Sequence, residues 1–357
     1  MATAIRLGDV ATYINGYPFK PEDRGTSGLP IIRIQDLTGN TYDLGFYDGE
    51  YPSRIEINNG DVLISWSGSL GVYVWNRGKA LLNQHIFKVV FDKVVIDKDY
   101  FVFAVRHKLR EMESKTHGAT MKHIVKGDFD STTIPFPSVE NQREIAHLLL
   151  AALYIIEARQ RQLRTFDTLI KARFVEMFGE PISNSKKLPL KKLGEICDLQ
   201  AGDFTPADAI HEIPDENNPY PCYGGNGIRG YVDNYTQEGE FPIIGRQGAL
   251  CGNVQFASGK FRNTEHAVLE TPKVSIDRLW LFELLCLEDL YRFHTGAAQP
   301  GLAIKILNQV SIPIAPIALQ QQYANFFQQV NQTKSAIQAS LDKAQLLFDS
   351  LMQQYFG

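Results

Sequence analysis

The sequence lacks several features that mark common classes of protein. It contains no run of eighteen apolar residues and no apolar N-terminal segment, so we expect neither a membrane span nor a signal peptide, and a cytoplasmic location. No G-x-x-x-x-G-K-[ST] loop occurs, which argues against ATP hydrolysis. The four cysteines include no C-x-x-C pair, so we expect reduced thiols and no metal site.

The chain also lacks an excess of positive charge. It has 36 Lys and Arg residues against 40 Asp and Glu residues, which gives a net charge of −4. Nucleic-acid-binding proteins are usually basic because Lys and Arg neutralise phosphates. Composition alone therefore does not predict a nucleic-acid ligand. Such a ligand requires local segregation of charge or a partner that supplies part of the binding surface.

An internal repeat is the main positive feature. Shifted by about 180 residues, the chain matches itself from Leu7–Val10 with Leu193–Ile196 onward, and Gly16 and Gly202 follow at the same spacing. Further matches are Gly60–Val62 with Gly239–Phe241, Ile64 with Ile243, Asn83–His85 with Thr264–His266, Ile96–Lys98 with Ile276–Arg278, Gly118–Ala119 with Gly296–Ala297, Ile134–Pro135 with Ile312–Pro313, and Phe178–Gly179 with Phe356–Gly357. The intervening loops differ, which is typical of related domains that hold different ligands.

Each copy begins with a part that is rich in strand and turn signals. Asp61–Trp66 and Phe87–Phe91 are predicted strands. Tyr100–Val105 fits a strand or a helix, and its counterpart Leu279–Leu287 favours a helix. The Ile-Pro segments are predicted to be extended, because proline lacks an amide donor and disfavours helix at the preceding residue.

Each copy ends in a predicted long helix. No proline occurs between Val139 and Pro181, or after Pro316. Apolar residues recur there at spacings of three and four, and they form the proposed seam and partner surface: Ile145, Leu149, Ile156, Leu163, Ile170, Phe327, Ile337, Leu341, Phe348 and Leu351. Such a seam needs a partner helix. We expect the two helices to pack as an antiparallel coiled coil, since each starts where a different globular part ends.

Two segments have the chemistry of a binding site. Gly225–Gly230 fits the G-x-G-x-x-G pattern, but its surroundings are wrong for a dinucleotide site, so we expect a glycine-rich recognition loop. Arg246 and Gln247 follow a predicted strand, where Ser67–Ser69 stands in the first copy. Arginine and glutamine form paired hydrogen bonds with the base edges of guanine and adenine.

In the order of these features the chain resembles the specificity (S) subunit of type I restriction-modification systems. The resemblance covers the whole chain. It is carried by the Leu-Gly-Asp/Glu openings, the Ile-Pro exits, the glutamine-bearing helix starts at Asn141–Arg143 and Gln320–Gln322, and the Phe-Gly ends. Tyr223–Ile228 and Ile244–Arg246 also resemble one type of target recognition domain.

The resemblance implies an α+β fold with target recognition domains at residues 1–139 and 181–317, separated by long spacer helices at 140–180 and 318–357. Each domain would recognise one half of an asymmetric bipartite site in double-stranded DNA. The helices would fix the spacer and bind two methyltransferase (M) subunits. Those subunits would carry S-adenosylmethionine and methylate adenine, and restriction (R) subunits would join them. This chain would be non-catalytic and hold no cofactor.

The candidate DNA-binding residues come from both copies: Lys20, Arg33, Trp66, Ser67, Ser69, His85, Thr120, Lys122, Tyr223, Asn226, Arg229, Arg246, Gln247, His266, Gln299 and Lys305. Ordinary loop polarity is an equal alternative for Thr120, Lys122, Gln299 and Lys305. Two other functions stay open: the specificity subunit of a type IIB-like restriction enzyme, and a coiled-coil adaptor without a DNA ligand. The diverged loops count against the adaptor.

Overall fold

The computed structural model describes residues 3–41, 43–115, 123–296 and 300–357. The chain divides into two compact units. Unit 1 contains Met1–Arg159 and Ser340–Gly357, and unit 2 contains Gln160–Ala339. Both unit boundaries fall inside the long helices, so each helix contributes to both units. The predicted domain boundaries at residues 139, 180 and 317 stay a prediction.

Unit 1 combines short strands with three short helices and one longer helix. Its elements before the long helix are β1 (Thr3–Arg6), α1 (Leu7–Val10), β2 (Thr12–Asn15), β3 (Leu29–Ile32), α2 (Ile34–Leu37), β4 (Phe46–Tyr47), β5 (Glu56–Ile57), β6 (Val62–Ser65), β7 (Gly71–Val74), β8 (Ala80–Leu82), β9 (Ile86–Val90), α3 (Lys98–Lys115), α4 (Lys126–Ser131) and β10 (Thr133–Phe136). The strands form sheets of order β2-β9-β6-β7, β4-β3-β8-β5 and β1-β10. Both strands predicted for this unit and the helix after residue 97 are confirmed.

Unit 2 repeats this plan with longer strands. The first long helix is α5 (Val139–Phe178), and the elements after it are β11 (Leu190–Lys192), α6 (Leu193–Ile196), β12 (Cys197–Ala201), β13 (Tyr220–Gly224), β14 (Gly227–Val232), β15 (Gln237–Gly245), β16 (Val254–Asn263), β17 (Ala267–Pro272), α7 (Arg278–Leu287), α8 (Ile304–Leu307), β18 (Ser311–Pro313) and α9 (Ile317–Phe356). The main sheet has the order β12-β17-β15-β16-β13-β14, and β11 pairs with β18. The two units thus share the α+β architecture that the repeat predicts.

The strand register corrects one detail of the repeat. Ile64 pairs with Phe87, which lies two residues after His85. In unit 2 it is Ile244, not Ile243, that pairs with the residue two positions after His266. The match of Ile64 with Ile243 is therefore wrong by one residue. Gly60 lies before β6, whereas its sequence match Gly239 lies inside β15 and pairs with Gly259, so the two copies differ in register there.

A buried glutamine joins each long helix to the shorter helix of the same unit. The side chain of Gln142 accepts a hydrogen bond from Asp97 N at 2.9 Å and donates to Pro137 O at 2.9 Å. In unit 2, Gln320 accepts from Asp277 N at 2.8 Å and donates to Ala315 O at 2.7 Å. Both aspartates also cap the helices that follow them, α3 and α7. The repeated Ile-Asp and Gln motifs therefore form equivalent hydrogen bonds in the two units.

The long helices pack against each other in antiparallel fashion within each unit. In unit 1, Leu149 and Ile156 share a core with Phe348, from the later part of α9. In unit 2, the Phe174 ring packs edge-on against Tyr323, from the early part of α9, with 5.2 Å between ring centroids. Apolar burial recurs every three or four residues along both helices, as the heptad pattern predicts.

The last aromatic residue of each long helix enters a globular core. Phe178 packs on Trp280 in unit 2, with 5.8 Å between ring centroids. Phe356 packs on Tyr100 in unit 1, at 5.2 Å, and is fully buried. The chain leaves α5 at Gly179, whose φ of 79° suits the left-handed end of a helix. The repeated Phe-Gly ending thus couples each helix end to a core.

Glu270 is an acidic residue that is fully buried in unit 2. It lies on β17, has no exposed surface, and neither carboxyl oxygen has a hydrogen-bond partner among the described residues. Burial raises the pKa of this carboxyl well above its usual value. Val89, four residues after His85 as Glu270 is after His266, is the apolar counterpart in unit 1.

Candidate nucleic-acid interface

Both units place the same backbone arrangement at the end of a central strand. Trp66 N donates to His85 O at 3.2 Å, and Arg246 N donates to His266 O at 3.0 Å. The carbonyl groups of Trp66 and Arg246 in turn accept from Ile124 N at 2.9 Å and Leu302 N at 2.8 Å. We call this arrangement the strand-end frame: residues 66–68, 85, 123 and 124 in unit 1, and 246–248, 266, 301 and 302 in unit 2.

The frame aligns the two copies residue by residue. Ser67 bridges His123, and Gln247 bridges Gly301. Gly68 and Gly248 follow with φ of 68° and 84°, a conformation that glycine adopts without steric cost. Trp66-Ser67-Gly68 is therefore the counterpart of Arg246-Gln247-Gly248. The expected match of Ser67–Ser69 with this segment is wrong by one residue, in line with the strand register.

The repeated glycines Gly16 and Gly202 support the turn that carries each frame histidine. A Cβ on Gly16 would lie 2.0 Å from Asn83 O, and one on Gly202 would lie 1.8 Å from Asn263 O. No side chain fits at such distances. The spacing match between these glycines thus reflects a close backbone approach in both units.

In unit 1 the frame is aromatic. The Trp66 ring stacks on Phe87, with 5.5 Å between ring centroids, and meets the edges of His85 and His123 at 4.9 and 4.8 Å. Its indole N–H donates to Asn15 Oδ1 at 3.2 Å. A pocket of about 300 Å³ opens beside these side chains and is also lined by Tyr13, Ile124, Val125 and Lys126. Unit 1 thus presents a mainly apolar surface with a few polar groups.

In unit 2 the frame is polar. Arg246 is half-buried and Gln247 is exposed. His266 Nε2 lies 3.1 Å from Glu265 Oε1, and Asn253 Nδ2 donates to Asn226 Oδ1 at 2.8 Å. A shallow groove of about 410 Å³ is lined by Gly225, Asn226, Gln247, Gly248, Ala249, Leu250 and His266. Unit 2 thus offers hydrogen-bonding groups where unit 1 offers rings.

The glycine-rich segment forms a hairpin rather than the expected loop. β13 ends at Gly224 and β14 begins at Gly227, so Gly225 and Asn226 form a two-residue turn. Arg229 lies on β14 and is exposed. Because a strand and not a helix follows the glycines, the segment lacks the geometry of a dinucleotide site.

Several predicted DNA-binding residues are buried. Arg33 is 8% exposed, and its Nε lies 3.5 Å from Asp36 Oδ2, which favours a structural ion pair. Tyr223 belongs to the core around Phe261, and Ser67 is buried in the frame. These three side chains are poorly placed for a surface contact. These three side chains could contact DNA only after a rearrangement that exposes them.

The remaining candidates divide into exposed and undescribed positions. Lys20, Ser69 and Lys305 are exposed, while His85 is half-buried with φ of 72°. Thr120, Lys122 and Gln299 lie outside the described residues. Asn15, His123 and Asn253 were not predicted, although they contact or line the same surfaces. Asn15 directly precedes the repeated Gly16, which is the one signal that pointed to it.

The chain matches the family model described as "Type I restriction modification DNA specificity domain" twice, over residues 3–164 and 186–345. The chain belongs to this family. The match confirms both the resemblance and the internal repeat. Each match to this specificity domain family spans one globular part and part of the long helix that follows it.

Curated relatives of this specificity subunit family cover most of the chain. The Type I restriction enzyme EcoprrI specificity subunit of Escherichia coli is 30% identical over 347 residues, which cover 88% of this chain and 84% of the relative. The Type I restriction enzyme MjaVIII specificity subunit of Methanocaldococcus jannaschii is 21% identical, covering 90% and 84%. The chain thus aligns with these two relatives over most of their length.

Solved structures of specificity subunits support the fold. The S subunit of a type I restriction-modification system from M. genitalium has a TM-score of 0.66 at 16% identity, covering 100% of this chain and 96% of that one. A chain from a study of complex assembly and conformational transition of the type I R-M system has a TM-score of 0.59 at 19% identity, covering 99% and 97%.

Two further searches concern the described part of the chain. Across residues 3–41, 43–115, 123–296 and 300–357, no three or more His, Cys, Asp and Glu side chains are grouped so that they could hold a metal ion. None of the helices in these ranges combines the length and apolar composition that a membrane crossing requires.

Proposed function

We propose that this chain is the DNA sequence-recognition subunit of a type I restriction-modification complex. The observation that carries the proposal is the strand-end frame, which occurs once in each unit with a different set of side chains. A shared backbone with diverged side chains suits two binding surfaces of common geometry and different specificity. Family membership supports this function, because the curated relatives carry the name of type I specificity subunits.

Each unit would recognise one half of an asymmetric bipartite site. Base edges in the major groove of DNA present donors, acceptors and the thymine methyl group, so polar and aromatic surfaces select different sequences. Exposed cations such as Lys20, Arg229 and Lys305 would contact phosphates, which position a protein without selecting bases. Two unlike frames therefore predict two unlike half-sites.

The chain would act by binding and orienting, with no bond-breaking step of its own. We infer that two methyltransferase subunits dock on it and transfer methyl groups from S-adenosylmethionine to adenine, and that restriction subunits join this assembly. The paired long helices would fix the spacer between the half-sites. Because the net charge of this chain is −4, the partner subunits would supply part of the cationic contact with DNA.

An exposed apolar surface on α5 supports a protein partner. Leu148, Tyr154 and Ile155 are 42%, 68% and 45% exposed in unit 1. Leu148 and Ile155 are seven residues apart and so share one face of α5, and contiguous exposed apolar surface is typical of protein interfaces. Adding 178 to the last two positions gives Gln332 and Thr333 on α9, so the copies differ in this respect. A methyltransferase subunit is the partner that the family suggests.

A domain exchange tests the proposal. The chain is co-expressed with its methyltransferase subunit, and methylated adenines are mapped by sequencing. Replacing residues 190–317 with the matching segment of the EcoprrI specificity subunit should change one half-site and leave the other intact.

The reciprocal exchange of residues 1–139 is the matched control and should change only the other half-site. An exchange that alters both halves contradicts the modular function. A chain that purifies with the methyltransferase but yields no methylated motif favours the adaptor.

A further inference from the structure

Arg246 differs from the other arginines in the globular part of unit 2. Arg262 donates to Thr205 and Asn234, Arg278 donates to Glu240 O, and Arg292 pairs with Glu288. Arg229 is exposed on β14.

Arg246 is half-buried as a residue, and among the residues that the structure describes its guanidinium has neither a hydrogen bond nor an ion pair. Its Nε is sealed from solvent without an acceptor. Removing a charged donor from water without giving it a partner is unfavourable, and proteins usually avoid it. The Arg246 guanidinium is therefore available to donate hydrogen bonds to an acceptor on a ligand.

The backbone of Arg246 is held by hydrogen bonds, while its side chain has no partner among the described residues. The residue donates to His266 O and accepts from Leu302 N, and it directly follows β15. The adjoining Gln247 and Gly248 line the 410 Å³ groove together with Asn226 and His266. Gly248, with φ of 84°, turns the chain away immediately afterwards. The frame therefore fixes the backbone of Arg246 directly before two residues that line an open, polar groove.

The chemistry of the group restricts the ligand. A guanidinium offers several N–H donors in a planar fork, and the O6 and N7 atoms of guanine form the matching pair of acceptors. A phosphate also accepts such a fork, but phosphate contacts need no fixed backbone. Exposed side chains such as Arg229 and Lys305 supply them. The rigid frame and the partly buried fork favour a base edge.

The same frame position in unit 1 has no such capacity. Trp66 carries a single side-chain donor, and that N–H already donates to Asn15 Oδ1. The indole is further enclosed by Phe87, His85 and His123. Trp66 therefore cannot bind the guanine edge through paired hydrogen bonds. The two copies thus carry different side-chain chemistry at a position where their backbone hydrogen bonds are the same.

We propose that Arg246 recognises a guanine in the half-site bound by unit 2, and that the equivalent position of unit 1 makes no such contact because it holds Trp66. This inference rests on the proposed function, since it assigns a base to a surface already taken to face DNA. It adds a specificity-determining residue and the class of base that the residue selects.

The test compares methylomes of the complete methyltransferase complex carrying wild-type chain, Arg246→Ala, Arg246→Lys and Arg278→Ala. A bidentate arginine–guanine contact discriminates by about 1–3 kcal/mol, or roughly 5- to 150-fold. We expect Arg246→Ala to lose preference by that factor at one G·C pair of one half-site, with the other half-site intact. Arg246→Lys should relax the same pair more weakly, because lysine lacks the fork.

Arg278→Ala is the matched control, since Arg278 donates to Glu240 O on the same strand, away from the frame. It should leave every base preference unchanged. A uniform loss of methylation in Arg246→Ala with an unaltered motif in Arg246→Lys indicates a phosphate contact and overturns the proposal. Relaxation at an A·T pair, or no relaxed position, also overturns it. A wild-type chain that yields no bipartite motif contradicts the proposed function instead.

Discussion

The two units carry unlike side chains on the same backbone frame. The strand-end frame of unit 1 holds Trp66 among aromatic rings, whereas that of unit 2 holds Arg246, whose side chain has no partner among the described residues, next to Gln247 at a polar groove. The hydrogen bonds that form the frame involve main-chain atoms alone, so they place no demand on the side chains. A scaffold of this kind allows specificity to change by substitution without loss of the fold.

In the cores of the two units, by contrast, the side chains themselves are retained. The buried glutamines, the capping aspartates and the terminal phenylalanines occur in both units in equivalent contacts. Here the side chains themselves make the contacts that define the fold, and the copies have retained them. Glu270 departs from this pattern, because its unit 1 counterpart is Val89. Variation is thus tolerated at the surface and is costly inside.

The largest test of this symmetry concerns the terminal phenylalanines. Removing a buried phenyl ring costs about 3–5 kcal/mol. Phe356→Ala should therefore destabilise unit 1, and Phe178→Ala should destabilise unit 2, each by a similar amount. Chemical denaturation with peptide-resolved hydrogen exchange measures both effects. Leu346→Ala, at a side chain that is 72% exposed, should change stability by less than about 0.5 kcal/mol. If both variants lose hydrogen-exchange protection in the same unit, the two phenylalanines do not have equivalent roles.

The buried glutamines provide a second test. Gln142→Leu and Gln320→Leu each remove two hydrogen bonds and leave a main-chain N–H and a carbonyl without a partner. An unsatisfied buried group costs about 1–3 kcal/mol, so we expect a loss of about 2–3 kcal/mol in each unit. Thermal unfolding measures it, with the exposed Gln321→Leu as control. If only one of the two substitutions lowers stability, the hydrogen bonds of Gln142 and Gln320 are not equivalent in the two copies.

The smallest expected effect is a gain in stability from Glu270→Leu. The pKa of the carboxyl is raised in the folded state, so ionisation of the unfolded chain opposes folding as pH rises above the usual value of 4.5. We expect Glu270→Leu to stabilise unit 2 by about 1–2 kcal/mol at pH 7. The gain should shrink below pH 4.5, where the unfolded carboxyl is also protonated.

Unfolding midpoints across pH 4–8 measure this effect, and Glu238→Gln at an exposed position of the same sheet is the control. A variant that is less stable than the wild-type protein at pH 7 reveals a function for the buried carboxyl in the fold.

Much of the fold was predictable because the patterns that specify it are local. Heptad spacing and the absence of proline predicted both long helices to within a few residues, and the repeated Ile-Asp motif coincided with helix starts. The register of β6 and β15 was not predictable. A one-residue displacement between the copies leaves no periodic signal, yet it moves the match of Ile64 from Ile243 to Ile244 and the counterpart of Arg246 from Ser67 to Trp66.

The candidate site was predictable only in part, because burial depends on contacts between distant segments. Arg33 and Tyr223 have side chains common at nucleic-acid interfaces, but Asp36 and the core around Phe261 enclose them. His123 joins Trp66 across 57 positions of sequence, and no local pattern links the two. The position of Arg246 directly after β15 was predictable from a strong strand signal, whereas its contact with DNA stays a prediction.

The assignment of residues 340–357 to unit 1 has a consequence for synthesis in the cell. Phe348, Met352 and Phe356 belong to the core that Leu7 and Tyr100 begin. A nascent chain therefore cannot complete its first unit until its last helix has left the ribosome. Such long sequence separation slows folding and leaves apolar surface of the first unit uncovered while the second is made. Rare codons or chaperones acting late in translation should affect the yield of unit 1 more than that of unit 2.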